Sequence, residues 1–231
     1  IIKNYIFLFF LGVISSFSLP PFNFFFLNFI TFSSLFFILF QNKNKISNKK
    51  VFFIYGWFFG FGYFLSNLYW ITISLTFDEN FNFLIPFALV IIPAFMAIFY
   101  GLITLFFFII KIKTIISSIL LFSLLFGFLE YIRGSILTGF PWNLIVYSFS
   151  DALSFISIIS IIGTYSLNLI VITFYSLPSI LILRKFKKNF GVFIFLILLP
   201  IIFLSYGYNY KKNFLNIDLK NNDLLVRIIG S

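Results

Sequence analysis

The 231-residue chain is 61% hydrophobic and only 10% charged, with a mean hydropathy of +1.11 and a net charge of +10. Soluble domains carry about 25% charged residues, so a chain this apolar cannot cover itself with polar surface and takes lipid as its solvent. It has no cysteine and no histidine, which excludes disulfides, thiolate metal sites, a cysteine nucleophile and the commonest general base within these residues.

The expected fold class is an all-α polytopic membrane protein with about seven transmembrane helices. The first apolar run covers 5–19. At ~15 residues it reaches about 22 Å, short for a hydrocarbon core of about 30 Å. Pro20 and Pro21 break it, and a second run covers 24–40. These two runs either cross as a hairpin or dip in as a re-entrant pair. A polar loop with Lys43, Lys45, Lys49 and Lys50 follows, then a third span over 51–75. That span carries Tyr69-Trp70, an aromatic pair suited to a membrane interface. The loop at 76–82 holds Asp78 and Glu79, both read as solvated. In the fourth span, 83–110, Pro86 and Pro93 are expected to kink the helix. Lys111 and Lys113 mark the next turn, and the fifth span covers 114–129. The sixth, 152–183, opens at Asp151 as a cap and is long enough to tilt. Arg184, Lys185, Lys187 and Lys188 form a basic loop before the seventh span at 190–206.

The basic residues then define a side. Lys3, Lys43, Lys45, Lys49, Lys50, Lys111, Lys113, Arg184, Lys185, Lys187 and Lys188 all fall at the N-terminus or in the loops after the second, fourth and sixth spans. The loops after the first, third and fifth hold only Arg133. The positive-inside rule puts the N-terminus in the cytoplasm, and an odd number of spans puts the tail at 207–231 outside. The charge is thus an orientation signal, and nucleic acid is not an expected partner. The excess of Phe, 41 residues beside frequent Ile, Asn and Lys, is read as genome composition. The chain starts at Ile1 without a methionine and stops in an alternating, β-like run at Leu224 to Ser231. Both ends are expected to be cuts in a longer protein.

One stretch breaks the apolar monotony. Glu130 and Arg133 are spaced i, i+3 and can pair if the fifth helix continues. Ionisable groups near hydrocarbon face a protein interior or a water-lined cavity. They serve either as an ion pair tying the helix end to the next loop, or as a wall where Arg133 holds a lipid phosphate. Gly139-Phe140-Pro141-Trp142 cannot continue a helix, because Pro141 pushes Phe140 to extended backbone and Gly139 permits a sharp turn. The turn is an interfacial anchor or a lining for acyl chains. The expected substrate-binding set is Glu130, Arg133, Gly139, Phe140, Pro141 and Trp142. No catalytic residue, metal site or cofactor is expected in the chain.

The run Glu130-Tyr131-Ile132-Arg133-Gly134, then Thr138-Gly139-Phe140-Pro141-Trp142-Asn143 and Tyr147-Ser148, resembles the signature of the apolipoprotein N-acyltransferase family. Leu19-Pro20-Pro21-Phe22-Asn23 resembles that family's proline break after its first helix. Tyr69-Trp70-Ile71 with Ser74-Leu75 resembles the end of its third. Val226-Arg227-Ile228-Ile229 resembles the first strand of its extracytoplasmic domain. The resemblance implies a bacterial inner-membrane enzyme with 1–206 as membrane domain and 207–231 as linker and first strand of a truncated α/β nitrilase-like domain in the periplasm. It implies acyl transfer from a phospholipid to the diacylated N-terminal cysteine of an apolipoprotein, through a thioester on a cysteine, with a glutamate base and a lysine. Those three match no position here, so the fragment itself is expected to be catalytically incomplete. A multi-pass transporter or lipid flippase is the alternative, although no internal repeat or mid-membrane ionisable site speaks for it.

Overall fold

The computed structural model describes residues 2–136, 139–183 and 190–216. Among them every regular element is helical: α1 (Ile2–Ser16), α2 (Leu27–Asn42), α3 (Lys49–Asn67), α4 (Ile85–Ile109), α5 (Ile115–Ser135), α6 (Leu153–Ile156), α7 (Ile159–Ile162), α8 (Thr164–Ser176), α9 (Pro178–Ile182) and α10 (Phe190–Leu215). Three 3₁₀ segments, Tyr69–Phe77, Glu79–Leu84 and Ile145–Phe149, fill the connections at one end of the bundle.

Three helical stretches among the described residues are long and apolar enough to cross a membrane: Glu79–Ile109, Ile115–Ser135 and Thr164–Ile182. A fourth arises if α3 and the 3₁₀ segment Tyr69–Phe77, bent by 47°, count as one. The apolar helices α1 and α2 are shorter. The expected third span is therefore not one straight helix. The expected sixth span, 152–183, is also broken. The short turns α6 and α7 precede Gly163, whose φ of 80° ends one helix before α8 begins. Such a φ is open to glycine without steric cost. Pro86 starts α4 rather than kinking it, since a first-turn proline leaves no hydrogen bond unmade. Pro93 lies inside α4 and is buried. The last helix runs on past 206 to Leu215, while the expected strand near the C-terminus and the basic loop at 184–188 lie outside the described residues.

Packing explains the mutual arrangement. α3 packs most extensively on α4 and α1, α5 lies against α8 and α4, and α10 meets the rest mainly through α6. Backbones approach closely where glycine allows it, as small residues do between membrane helices. A Cβ on Gly62 would lie 2.1 Å from the Phe9 carbonyl oxygen of α1, and one on Gly56 would lie 2.1 Å from the Tyr100 carbonyl oxygen of α4. Beside Gly56, Thr104 donates to the Phe52 carbonyl at 2.6 Å. The abundant phenylalanines fill the centre edge to face: Phe32 on Phe126, Phe36 on Phe107 and Phe122, and Phe122 on Phe126. Offset ring edges of this kind are favourable beyond their buried area. Whatever set the composition, the fold uses these rings as its packing units.

Buried polar side chains join the α1–α2 hairpin to itself and to α8. Asn28 accepts from Ser15 at 2.7 Å and donates to Ser18 at 2.7 Å, and Ser33 donates to the Tyr175 carbonyl at 2.8 Å. In an apolar interior each such bond also removes an unmet polar group.

Replacing Gly62 with valine will force α1 off α3 and lower stability by about 1–3 kcal/mol or more, since the opposing atom is backbone and cannot rotate away. Thermal unfolding in detergent micelles measures this. Gly191→Ala, at a helical position where an added Cβ meets nothing within 4 Å, is the matched neutral change.

Candidate functional site

α5 continues past the expected end at 129, and its last two turns bring Glu130 and Arg133 onto one buried face. They are 1% and 2% exposed. Arg133 donates from Nε to Glu130 Oε2 at 2.7 Å, and its Nη2 donates to the same oxygen. This is the only ion pair among the described residues. The rest of the guanidinium turns to the loop that follows. Nη1 donates to the Phe140 carbonyl at 2.8 Å and Nη2 to the Trp142 carbonyl at 3.0 Å. The planar fork of arginine suits this double duty, which a lysine ammonium could not perform. Its Cζ also sits 5.3 Å from the centre of the Phe64 ring of α3, within cation–π range.

The loop owes its course to local sequence. After Ser135 the chain leaves the helix, and Gly139 adopts a φ of 78° that an L side chain would resist. The Gly139 amide bonds Ile136 O at 2.8 Å, and the Phe140 amide returns to Arg133 O at 3.2 Å. Asn143, at φ 60°, turns the chain again, and its carbonyl accepts from the Tyr63 hydroxyl of α3 at 2.8 Å. Three loop carbonyls are thus held by two buried side chains from two helices. Beyond the loop, the Val146 amide is received by Asn168 Oδ1 of α8 at 2.9 Å.

What this clamp presents is an open cavity of about 880 Å³ at the same end of the bundle. Its walls come from the α1–α2 turn (Phe17, Pro21), the bend after α3 (Trp70) and the loop after α5 (Pro141, Trp142, Tyr147). Trp70 and Trp142 are in tilted contact with ring centres 6.1 Å apart, and Trp142 is 58% exposed. Burial, with Tyr165 adding to it and Arg133 opposing, raises the Tyr147 hydroxyl above the usual tyrosine pKa, so it stays protonated at neutral pH. The volume of the cavity falls within the range of small-molecule pockets.

Of the residues selected from sequence, Pro141 and Trp142 line the cavity. Gly139 makes the turn, and Glu130, Arg133 and Phe140 stand behind the wall. The guanidinium donates to Glu130 and to the carbonyls of Phe140 and Trp142, an ion pair that ties the helix end to the next loop. Asp151 is exposed and accepts from Asn23 at 2.6 Å. Sequence reasoning missed Tyr63. Tyr63 is buried and four residues from Asn67, which lines the cavity, so the two share a face of α3, but nothing in the sequence pairs Tyr63 with position 143. No group of three or more metal-ligating side chains exists among the described residues, and the lining of the cavity offers hydroxyls and amides.

A family model described as apolipoprotein N-acyltransferase N-terminal domain matches residues 11–177, most of the chain and all of this site. The chain belongs to that family. Among its relatives, the protein of Rickettsia typhi named apolipoprotein N-acyltransferase is 40% identical over 172 residues, covering 74% of this chain and 33% of its own. Its namesake in Rickettsia prowazekii is 41% identical over 164 residues, covering 70% and 32%. The one in Brucella melitensis is 29% identical over 234 residues, covering 94% and 42%. The chain spans about a third of the length of the first of these relatives.

Breaking the buried pair from either side leaves an uncompensated charge, so Glu130→Gln and Arg133→Leu will each cost about 3–5 kcal/mol. The double change will cost clearly less than the sum, because the two lesions share one interaction. Unfolding in micelles, with the emission maximum of Trp142 and its neighbours as a reporter of loop position, measures both.

Proposed function

We propose that the chain is the membrane part of an enzyme that moves an acyl chain from a phospholipid to the α-amino group of a diacylated N-terminal cysteine on an apolipoprotein. The observation that carries this reading is the tryptophan-walled cavity, held by the Glu130–Arg133 clamp, inside the segment that matches the family. Within the proposal the helices cross the bacterial inner membrane about seven times. The N-terminus is cytoplasmic and the cavity opens toward the periplasm. The helical turns rich in lysine lie at the opposite end of the bundle from the cavity, which supports that orientation.

The chemistry divides accordingly. Both substrates are membrane-anchored, so a cavity at the membrane surface gathers them in two dimensions and orients them before reaction. Pro141, Trp142 and Trp70 receive acyl chains and head-group edges, while Glu130, Arg133, Gly139 and Phe140 keep that wall in place. The amphipathic indoles suit a boundary where one side is apolar and the other wet. The thioester step implied by the family needs a cysteine, and this chain has none. In this reading residues 1–206 form the docking floor, and 207–231 lead toward the nitrilase-like catalytic domain. The continuous helix to Leu215 makes the first part of that connection rigid.

In the full-length enzyme, Trp142→Ala and Trp70→Ala will each lower acyl transfer from phospholipid by about tenfold in kcat/KM, as loss of a central aromatic anchor does. Labelled phospholipid donor and a diacylated lipopeptide acceptor measure this. Unchanged turnover in both variants, at normal membrane levels, would remove the cavity from the reaction.

A further inference from the structure

At the end of the bundle away from the cavity, the turn after α2 and the turn between α4 and α5 enclose a second concavity of about 620 Å³. Lys43, Lys111 and Lys113 all line it, together with Phe40, Phe108 and Ile112. No carboxylate is among its lining residues, and the only ion pair among the described residues lies at the other end. Three cations therefore converge on one hollow with nothing of opposite charge to meet them.

Lys43 is built into this hollow. It caps α2, and its Nζ donates to the Ile110 carbonyl at the end of α4 at 2.7 Å. The same ammonium lies 4.5 Å from the centre of the Phe107 ring. It is half-buried, and burial lowers its pKa below the ordinary lysine value. The protein thus holds a partly dehydrated cation in a fixed place where an added anion would be welcome. Lys111 and Lys113 are exposed beside it and one residue apart from Ile112. Phe40, Ile46, Phe108 and Ile112 supply the apolar part of the lining, with Asn44 and Ser47 beside them.

We infer that this hollow is a binding site for the head group of an anionic phospholipid, with the phosphate among Lys43, Lys111 and Lys113 and the chains along Phe40 and Phe108. Basic pockets between membrane helices take acidic lipid head groups because the charge is met at the level where the chains are already immersed. A free phosphate would use the lysines alone and leave the apolar wall unmatched. The inference rests on the membrane reading of the helices and is independent of acyl transfer.

The test uses the purified chain in mixed micelles carrying equal phosphatidylglycerol and phosphatidylcholine, with retained lipid counted by native mass spectrometry. The wild type will retain phosphatidylglycerol about tenfold over phosphatidylcholine. The triple change Lys43→Gln, Lys111→Gln, Lys113→Gln will bring this preference to about twofold or less. Lys49→Gln with Lys50→Gln, at the same end but outside the hollow, will leave it intact. Changing Lys111 and Lys113 to arginine will preserve it, which separates lost charge from lost folding. Equal retention of both lipids by the wild type overturns the inference. So does an equal loss in the Lys49 and Lys50 variant, or complete displacement of the lipid by millimolar inorganic phosphate.

Discussion

A guanidinium buried in an apolar bundle is costly unless every face of it is occupied. Arg133 meets that condition by taking Glu130 on one side and the carbonyls of Phe140 and Trp142 on the other. The loop after α5 must therefore come back over the helix end, which brings Trp142 beside Trp70. The Glu130–Arg133 pair sets the position of the cavity wall, and the hydroxyl of Tyr63 fixes the same wall from α3.

The rest of the bundle supports this constraint. Glycines bring α1 and α4 into backbone contact with α3, which fixes the height of the bend that carries Trp70. Edge-to-face phenylalanines fill the space between α2, α4 and α5. The charged residues then divide by end. One end is a clamp and an aromatic cavity, and the other is a set of lysines with no acids nearby.

Much of the site was legible as chemistry before it was legible as geometry. The i, i+3 spacing of Glu130 and Arg133 led to a pair as soon as the helix was allowed to continue, and it does continue. Pro141 after Gly139 required a turn, and the turn is there. The two roles weighed for Arg133 came from its forked donors and its place near hydrocarbon, and the partners those donors take were visible only in the packed structure. Tyr63 escaped notice because tyrosine in an aromatic-rich helix carries no signal until its partner 80 residues away is known.

The sequence by itself determined the solvent, the helical class, the end that carries the positive charge and the family. Those follow from composition, the length of apolar runs, the distribution of lysines and a local motif, all of which survive without knowledge of distant contacts. Only the tertiary structure decided that the third helix bends, that the stretch 152–183 breaks at Gly163, and which of the motif's residues face the cavity. The physical reason is that a hydropathy run measures the cost of leaving water, which is additive along the chain. Bends and linings depend instead on which backbone carbonyls and ring faces a neighbouring helix offers.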